Sequence, residues 1–224
     1  MKGYKHLDTI TAFFVAVLII SNIASTKIFQ IGFLSIDGGI IVFPLSYIFG
    51  DILTEVYGYK KSRKVIWLGF ICSLLMSVVL IIVGWLPQAA EWGKQDAYMA
   101  ILGTTPRIVL ASLIAYFSGE FTNSFILAKL KIFTKGKHLW VRTIGSTVVA
   151  QVVDTVFFVY IAFWGVLPTG LLIEIIIANY VIKTLIEALF TPLTYKAVFW
   201  LKKQENEDFY DYKTNFNPFA VKDN

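Results

Sequence analysis

One cysteine and two histidines are all the thiol and imidazole that 224 residues offer a metal. Cys72 has no second thiol, so an intramolecular disulfide and a cysteine-rich metal site are both excluded. His6 and His138 each follow a lysine at the edge of an apolar stretch, which speaks against a histidine metal centre. Charge is also scarce: 16% of residues are Asp, Glu, Lys or Arg, against about 25% in an ordinary soluble domain. HExxH, GxSxG, a Gly-rich phosphate loop and an ATPase motif are absent, and Gly38-Gly39 alone does not make such a loop. No low-complexity tract and no soluble catalytic module is present.

Apolar sequence fills the place of what is missing, at 57% of the chain. Hydropathy predicts six membrane spans, at 8–29, 38–58, 64–86, 106–129, 140–164 and 170–200. The first follows a short basic leader and resembles a signal peptide, but five further stretches favour an uncleaved span. The net charge of +5 needs no nucleic acid as partner, because the basic residues fall between apolar stretches. Lys2 and Lys5 precede the first; Lys60, Lys61, Arg63 and Lys64 join the second and third. Lys129, Lys131, Lys135, Lys137 and Arg142 join the fourth and fifth, and Lys196, Lys202 and Lys203 follow the sixth. By the positive-inside rule both termini are cytoplasmic. The fold class expected is therefore an all-α integral membrane protein. A six-helix transmembrane domain covers 1–203, and a cytoplasmic tail packed loosely on the membrane face covers 204–224. Six spans form two triplets of opposite orientation, as in a 3+3 inverted repeat.

The most informative stretch is 38–58, GGIIVFPLSYIFGDILTEVYG. About 20 residues at ~1.5 Å each cross a ~30 Å hydrocarbon core, yet Phe43, Tyr47, Asp51 and Glu55 recur every four residues along one face. Pro44 is expected to bend this helix and free carbonyls towards the interior. Similar stripes follow. Span four has Ser112, Tyr116, Glu120 and Asn123, with Arg107 at its outer end. Span five has Thr147, Gln151, Asp154, Thr155 and Phe158. Span six has Asn179, Lys183 and Glu187, with Glu174 further out. Span one adds Asn22 and, at its outer edge, Lys27.

Some of these residues have plain structural readings. Serine and threonine often bond a carbonyl one turn back, Lys183 and Glu187 can pair along their helix, and Glu55, Lys27 and Arg107 can lie at interfaces. Asp51, Glu120 and Asp154 fall deep inside their spans, where an ionisable group is read as functional by default. The spans hold Asp51, Glu55, Glu120, Asp154, Glu174 and Glu187 against Lys27, Arg107 and Lys183. Surplus acids in low dielectric must take a proton, bind a cation or accept hydrogen bonds from a donor-rich ligand. Each option fits transport better than scaffolding. An aspartic intramembrane protease is the sharpest enzymatic alternative, but two carboxylates sharing a proton leave the other acids and amides unexplained; the chain reads as a non-enzyme.

Phe43-Pro44 through Asp51, Thr54, Glu55 and Tyr57-Gly58, followed by Arg63, resembles the signature of the VUT family of YhhQ-like queuosine precursor transporters. The likeness continues in Arg107-Ile108, Ala111-Ser112 and Tyr116. It runs on through Gln151, Asp154-Thr155 and Ile161-Ala162-Phe163 to Glu174, Asn179-Tyr180, Lys183 and Pro192, touching nearly every span. One form of the family pattern carries Gln and Asp where Glu120 and Asn123 stand, and another branch has no acid at the position of Glu55. The resemblance implies import of 7-cyano-7-deazaguanine or its 7-aminomethyl analogue across a bacterial or archaeal inner membrane, by alternating access around a central cavity. It implies a small-molecule deazapurine and the lipid bilayer as partners, no nucleic acid, no cofactor and no metal, and it leaves room for a homo-oligomer.

A guanine-like edge presents two adjacent donors that a carboxylate accepts in parallel, and its flat face suits an aromatic wall. The expected substrate-binding set is Asn22, Phe43, Tyr47, Asp51, Glu120, Asn123, Gln151, Asp154, Asn179 and Lys183, with one acid clamping the donor edge. Lys27, Glu55, Arg107, Glu174 and Glu187 are expected to balance charge or gate. Two alternatives stay open: a substrate-binding subunit of an energised uptake complex, and a membrane scaffold whose polar stripes fasten helices together.

Overall fold

The computed structural model describes residues 4–24, 27–31, 34–103, 106–165 and 168–219. Helix α1, Leu7–Ala24, opens with Asp8 in its first turn, where a carboxylate complements the helix dipole. It ends earlier than the run of apolar residues suggested. Ile28–Ile31 (β1) and Leu34–Asp37 (β2) pair antiparallel, with Ile28 opposite Asp37 and Phe29 opposite Ile36. This hairpin is a short addition to an otherwise helical chain. Its short runs of β-branched and aromatic residues favour an extended backbone, while their hydropathy merges with that of α1.

The second predicted span, 38–58, is α-helical over only part of its length. Gly38–Ile41 forms a 3-10 turn, and helix α2 covers only Phe43–Tyr57. Pro44 sits in its first turn, where the missing N–H costs no helical hydrogen bond; it starts the helix and does not bend it. At 15 residues, α2 is about 22 Å long, short of a full crossing. It is also nearly all buried, from Ser46 through Ile48 and from Gly50 through Tyr57, and it packs against α1, α3, α5 and α7.

Only Gly58 separates α2 from α3, Tyr59–Trp85. Its φ of +84° suits glycine, and a Cβ there would also run into the Phe209 ring. The basic group Lys60, Lys61, Arg63 and Lys64, read as an interhelical loop, lies in the first turns of α3. Beyond it, Leu68, Ile71, Leu75, Val79 and Ile82 are exposed, the outward apolar face a bilayer requires. A short helix, α4 (Gln95–Ile101), is held to α3 by Gln95 Nε2 donating to the Gly84 carbonyl at 2.7 Å. Helices α5, Pro106–Phe133, and α6, Leu139–Phe163, are joined by a tight turn with left-handed Lys135, Gly136 and His138, so they pack as antiparallel neighbours. The last helix, α7, runs from Thr169 to Glu205 through Pro192, about 55 Å in all.

Among the described residues, α1, α3, Leu139–Ile161 of α6 and Ile175–Glu205 of α7 are long and apolar enough to cross a membrane by themselves. In lipid, helices associate through close packing and not through the hydrophobic effect, so small residues mark the contacts. Gly69 on α3 does this, lying against Phe14 and Leu18 of α1.

The carboxy-terminal segment is not loosely packed. Asp211 accepts the Tyr59 amide hydrogen at 3.1 and 3.2 Å, Arg63 donates to the carbonyls of Asn215 and Asn217 at 2.9 and 2.8 Å, and Trp67 Nε1 donates to Pro218 at 2.8 Å. Phe216 packs on Tyr59 and Phe125, and Phe219 on Trp67 and Phe117. The strap thus lies along α3 and α5, held mainly by its backbone carbonyls, which no side-chain pattern encodes. Arg63→Ala is expected to free it: chymotryptic cleavage at Tyr212 or Phe216 should speed up several-fold in native protein, and an unchanged rate would show that Arg63 does not hold the strap.

Candidate functional site: a closed acid and amide centre

Four helices carry polar side chains into one buried centre. Helical spacing places Tyr47 and Asp51 one turn apart on α2, Tyr116, Glu120 and Asn123 on one face of α5, and Thr147, Gln151, Asp154 and Thr155 on one face of α6. Helix α7 adds Lys183, Thr184 and Glu187. Asp51, Glu120 and Asn123 are 0% exposed and Gln151 and Glu187 2%, so the centre is sealed from solvent.

Two contacts organise it. Asn123 Nδ2 donates to Asp51 Oδ1 at 2.7 Å, joining α5 to α2. Lys183 Nζ donates to Asp154 Oδ2 at 2.7 Å, joining α7 to α6, and stands 4.7 Å from the centre of the Phe43 ring. Lys183 therefore pairs with Asp154 on the neighbouring helix, and not with Glu187 one turn along its own. Thr54, Ser62 and Ser124 close a hydroxyl cluster beside it at 3.0 and 3.1 Å.

Glycines set the spacing. A Cβ on Gly50 would run into the Glu120 carboxylate, and one on Gly119 would meet Asp154 Cβ at 2.8 Å and Tyr47 Oη at 3.3 Å. Gly50 thus lets α2 approach the acid of α5, and Gly119 lets α5 approach the acid of α6.

Much of the centre's hydrogen-bonding capacity is unused. Both Glu120 oxygens, Asp51 Oδ2, Asn123 Oδ1, Gln151 Oε1, Glu187 Oε1 and the hydroxyls of Tyr47, Tyr116, Thr147, Thr155 and Thr184 are buried without a partner among the described residues. Most buried polar groups in proteins are satisfied, so a buried centre with this many unpartnered acceptors and hydroxyls stands apart from an ordinary helix contact.

Glu55 is placed elsewhere. One turn beyond Asp51, at the end of α2, it binds Arg142 of α6 through Nε at 3.0 Å and Nη2 at 2.7 Å, and Lys202 of α7 at 2.7 Å. Lys131 of α5 stands 3.6 Å from the same carboxylate and bridges to Asp208 at 2.6 Å and the Phe209 carbonyl at 2.6 Å. Burial by itself raises the Asp208 carboxyl, but hydrogen bonds from Lys131 and Lys202 outweigh it and hold the group below the usual carboxylate range. Lys131 and Arg142 are each 1% exposed; read from the sequence as loop charges, they are buried partners of Glu55.

The remaining expected residues form no hydrogen bond or ion pair with the acids among the described residues, or lie outside the described structure. Asn22 Nδ2 reaches Ser73 Oγ at 3.5 Å across the α1–α3 interface. Asn179 is half-buried on α7, and Lys27 is exposed beyond α1. The side chains of Arg107, Ser112 and Glu174 lie outside the described residues. A cavity of about 390 Å³ opens not at the centre but beside Lys137, Arg142, Tyr195 and Lys202.

Long apolar helices enclosing a closed cluster of acids, amides and phenols define a multi-pass membrane protein. The family model described as "Putative vitamin uptake transporter" matches residues 37–197, and the chain belongs to that family. It is similar to the "Probable queuosine precursor transporter" of Bacillus subtilis (strain 168), 30% identical over 178 residues, covering 79% of this chain and 78% of the relative. It is also similar to the "Queuosine precursor transporter" of Escherichia coli (strain K12), 26% identical over 194 residues and 84% of each chain. No solved structure matches. Family and relatives alike are transporters by name, and the chain is a membrane transporter and not an enzyme.

Proposed function

We propose that the protein imports a queuosine precursor, 7-cyano-7-deazaguanine or 7-aminomethyl-7-deazaguanine, across the cytoplasmic membrane. The observation that carries this is the sealed centre, where both Glu120 oxygens and one oxygen each of Asp51, Asn123, Gln151 and Glu187 have no partner among the described residues. A 2-amino-lactam ring brings adjacent donors for those acceptors, a carbonyl for the Tyr47 and Tyr116 hydroxyls, and a flat face for Phe43 and Tyr47, whose ring centres are 5.2 Å apart. The relatives' names point to the same ligand class.

The membrane core comprises six spans: α1, α2 with its preceding 3-10 turn and hairpin, α3, α5, α6 and α7. The lysine and arginine distribution puts both termini in the cytoplasm. Two triplets of opposite orientation then alternate access around the sealed centre. Because Asp51, Glu120 and Asn123 are fully enclosed, a ligand enters only when helices part, so the geometry is that of an occluded state. Asp154 with Lys183 keeps one charge pair at the site, while Glu187 adds a further acid.

Detergent-purified protein should gain thermal stability with the two deazaguanines and not with adenine, since a ligand that binds the native state stabilises by mass action. The same protein alone in lipid vesicles should take up the labelled ligand. A shift without uptake would identify a binding subunit that needs an energising partner. Folded protein showing neither would remove the reading.

A further inference from the structure

The geometry points to Glu120 as the residue that selects the 2-amino-lactam edge of the substrate, an assignment that rests on the transport reading above. Accepting N1–H and an exocyclic amine in parallel requires both oxygens of one carboxyl. Asp51 has committed Oδ1 to Asn123 at 2.7 Å, and Asp154 has committed Oδ2 to Lys183 at 2.7 Å. Glu187 contributes only Oε1 to the unpartnered set. Glu120 alone among the described carboxyls has both oxygens buried and unpartnered, on a side chain that is 0% exposed.

The neighbours fit the same edge. Gly50 lies so close that a Cβ would collide with the Glu120 carboxylate, so the α2 backbone is kept bare where this acid stands. Tyr116 lies one turn before Glu120 on α5, and Tyr47 reaches the adjacent Gly119; both hydroxyls are buried and unpartnered. They supply donors for the carbonyl that flanks N1–H in the ligand, completing an acceptor–donor pattern complementary to a guanine-type ring and not to an adenine-type one.

The test is calorimetric titration of the full-length protein with 7-cyano-7-deazaguanine and with its analogue lacking the 2-amino group. Wild type should prefer the amine-bearing ligand by roughly 100-fold, within the discrimination a bidentate contact supplies. Glu120→Gln puts an NH₂ where an acceptor stood, and the preference should fall to about threefold or less. Asp51→Asn should weaken both ligands while keeping their ratio. Gly50→Ala, which displaces the carboxylate without removing it, should lower affinity for the amine-bearing ligand at least tenfold and keeps the test decisive if Glu120→Gln does not fold. A preference that survives Glu120→Gln, or survives Gly50→Ala at full affinity, overturns the assignment and leaves the transport reading standing, as does a preference erased by Asp51→Asn alone. Folded wild type that binds neither ligand overturns both.

Discussion

Glu55→Gln is expected to lower the thermal midpoint of the detergent-solubilised protein by roughly 10 °C, corresponding to about 3–5 kcal/mol for a buried ion pair broken from one side. The size follows from who is left behind. Arg142 is 1% exposed and gives Nε and Nη2 to Glu55, while Nη1 is engaged by Thr134 and the Lys137 carbonyl. Removing the carboxylate strands a guanidinium that cannot deprotonate beside two lysines, with Asp208 as the remaining acid. Desolvation, and not lost attraction alone, sets the magnitude. Arg142→Lys keeps the charge but cannot form the two-pronged contact and should fall between the two. A double change, Glu55→Gln with Arg142→Met, should regain much of the loss, as replaced buried pairs commonly do. Glu55→Gln shifting the midpoint by less than about 2 °C would show that the cluster is exchanging with water and holds little.

Lys183→Met is the second large effect, and its signature is a split between stability and transport. Asp154, 3% exposed, would lose the cation 2.7 Å away and join an already unbalanced set of acids. Lys183 is itself part-exposed at 18%, so the cost should be about 2 kcal/mol, below that of a fully buried pair. Asp154→Asn added to Lys183→Met should restore stability, giving a coupling energy above about 1 kcal/mol in the double-mutant cycle. Vesicle uptake should stay at least tenfold down in the double variant, because the centre would then hold neither the charge nor the acceptor. Recovered uptake would make the pair a fastening between α6 and α7 and nothing more.

The stripes that could be read from sequence were those set by local periodicity. Tyr47 with Asp51, Glu120 with Asn123, and Gln151 with Asp154 share faces because four residues make about one turn, and the structure does gather these faces. Partnerships across helices were not legible. Lys131 and Arg142 look like topology signals in a linear reading, since hydropathy ranks a residue by its neighbours in the chain and says nothing of Glu55 more than seventy residues away. Hydropathy overstates the length of α2 because Gly38-Gly39-Ile40-Ile41 is as apolar as a helix, and only backbone geometry distinguishes a 3-10 turn. The hairpin was hidden in the same way, its hydropathy continuous with α1. In the carboxy-terminal strap, carbonyl oxygens do much of the binding, and these are identical in every residue.

The single-residue joint at Gly58 has a mechanical consequence. With α3 as the frame, α2 is a rigid arm about 22 Å long hinged at one end. A tilt of about 10° at the joint swings Phe43 through about 4 Å and Asp51 through about 2 Å, yet moves Glu55 by less than about 1 Å. The ion cluster sits at the fulcrum and the acid that meets Asn123 sits partway along the arm. In the proposed transport cycle, one short helix would then stay bolted at its base while its far end moved against the binding centre.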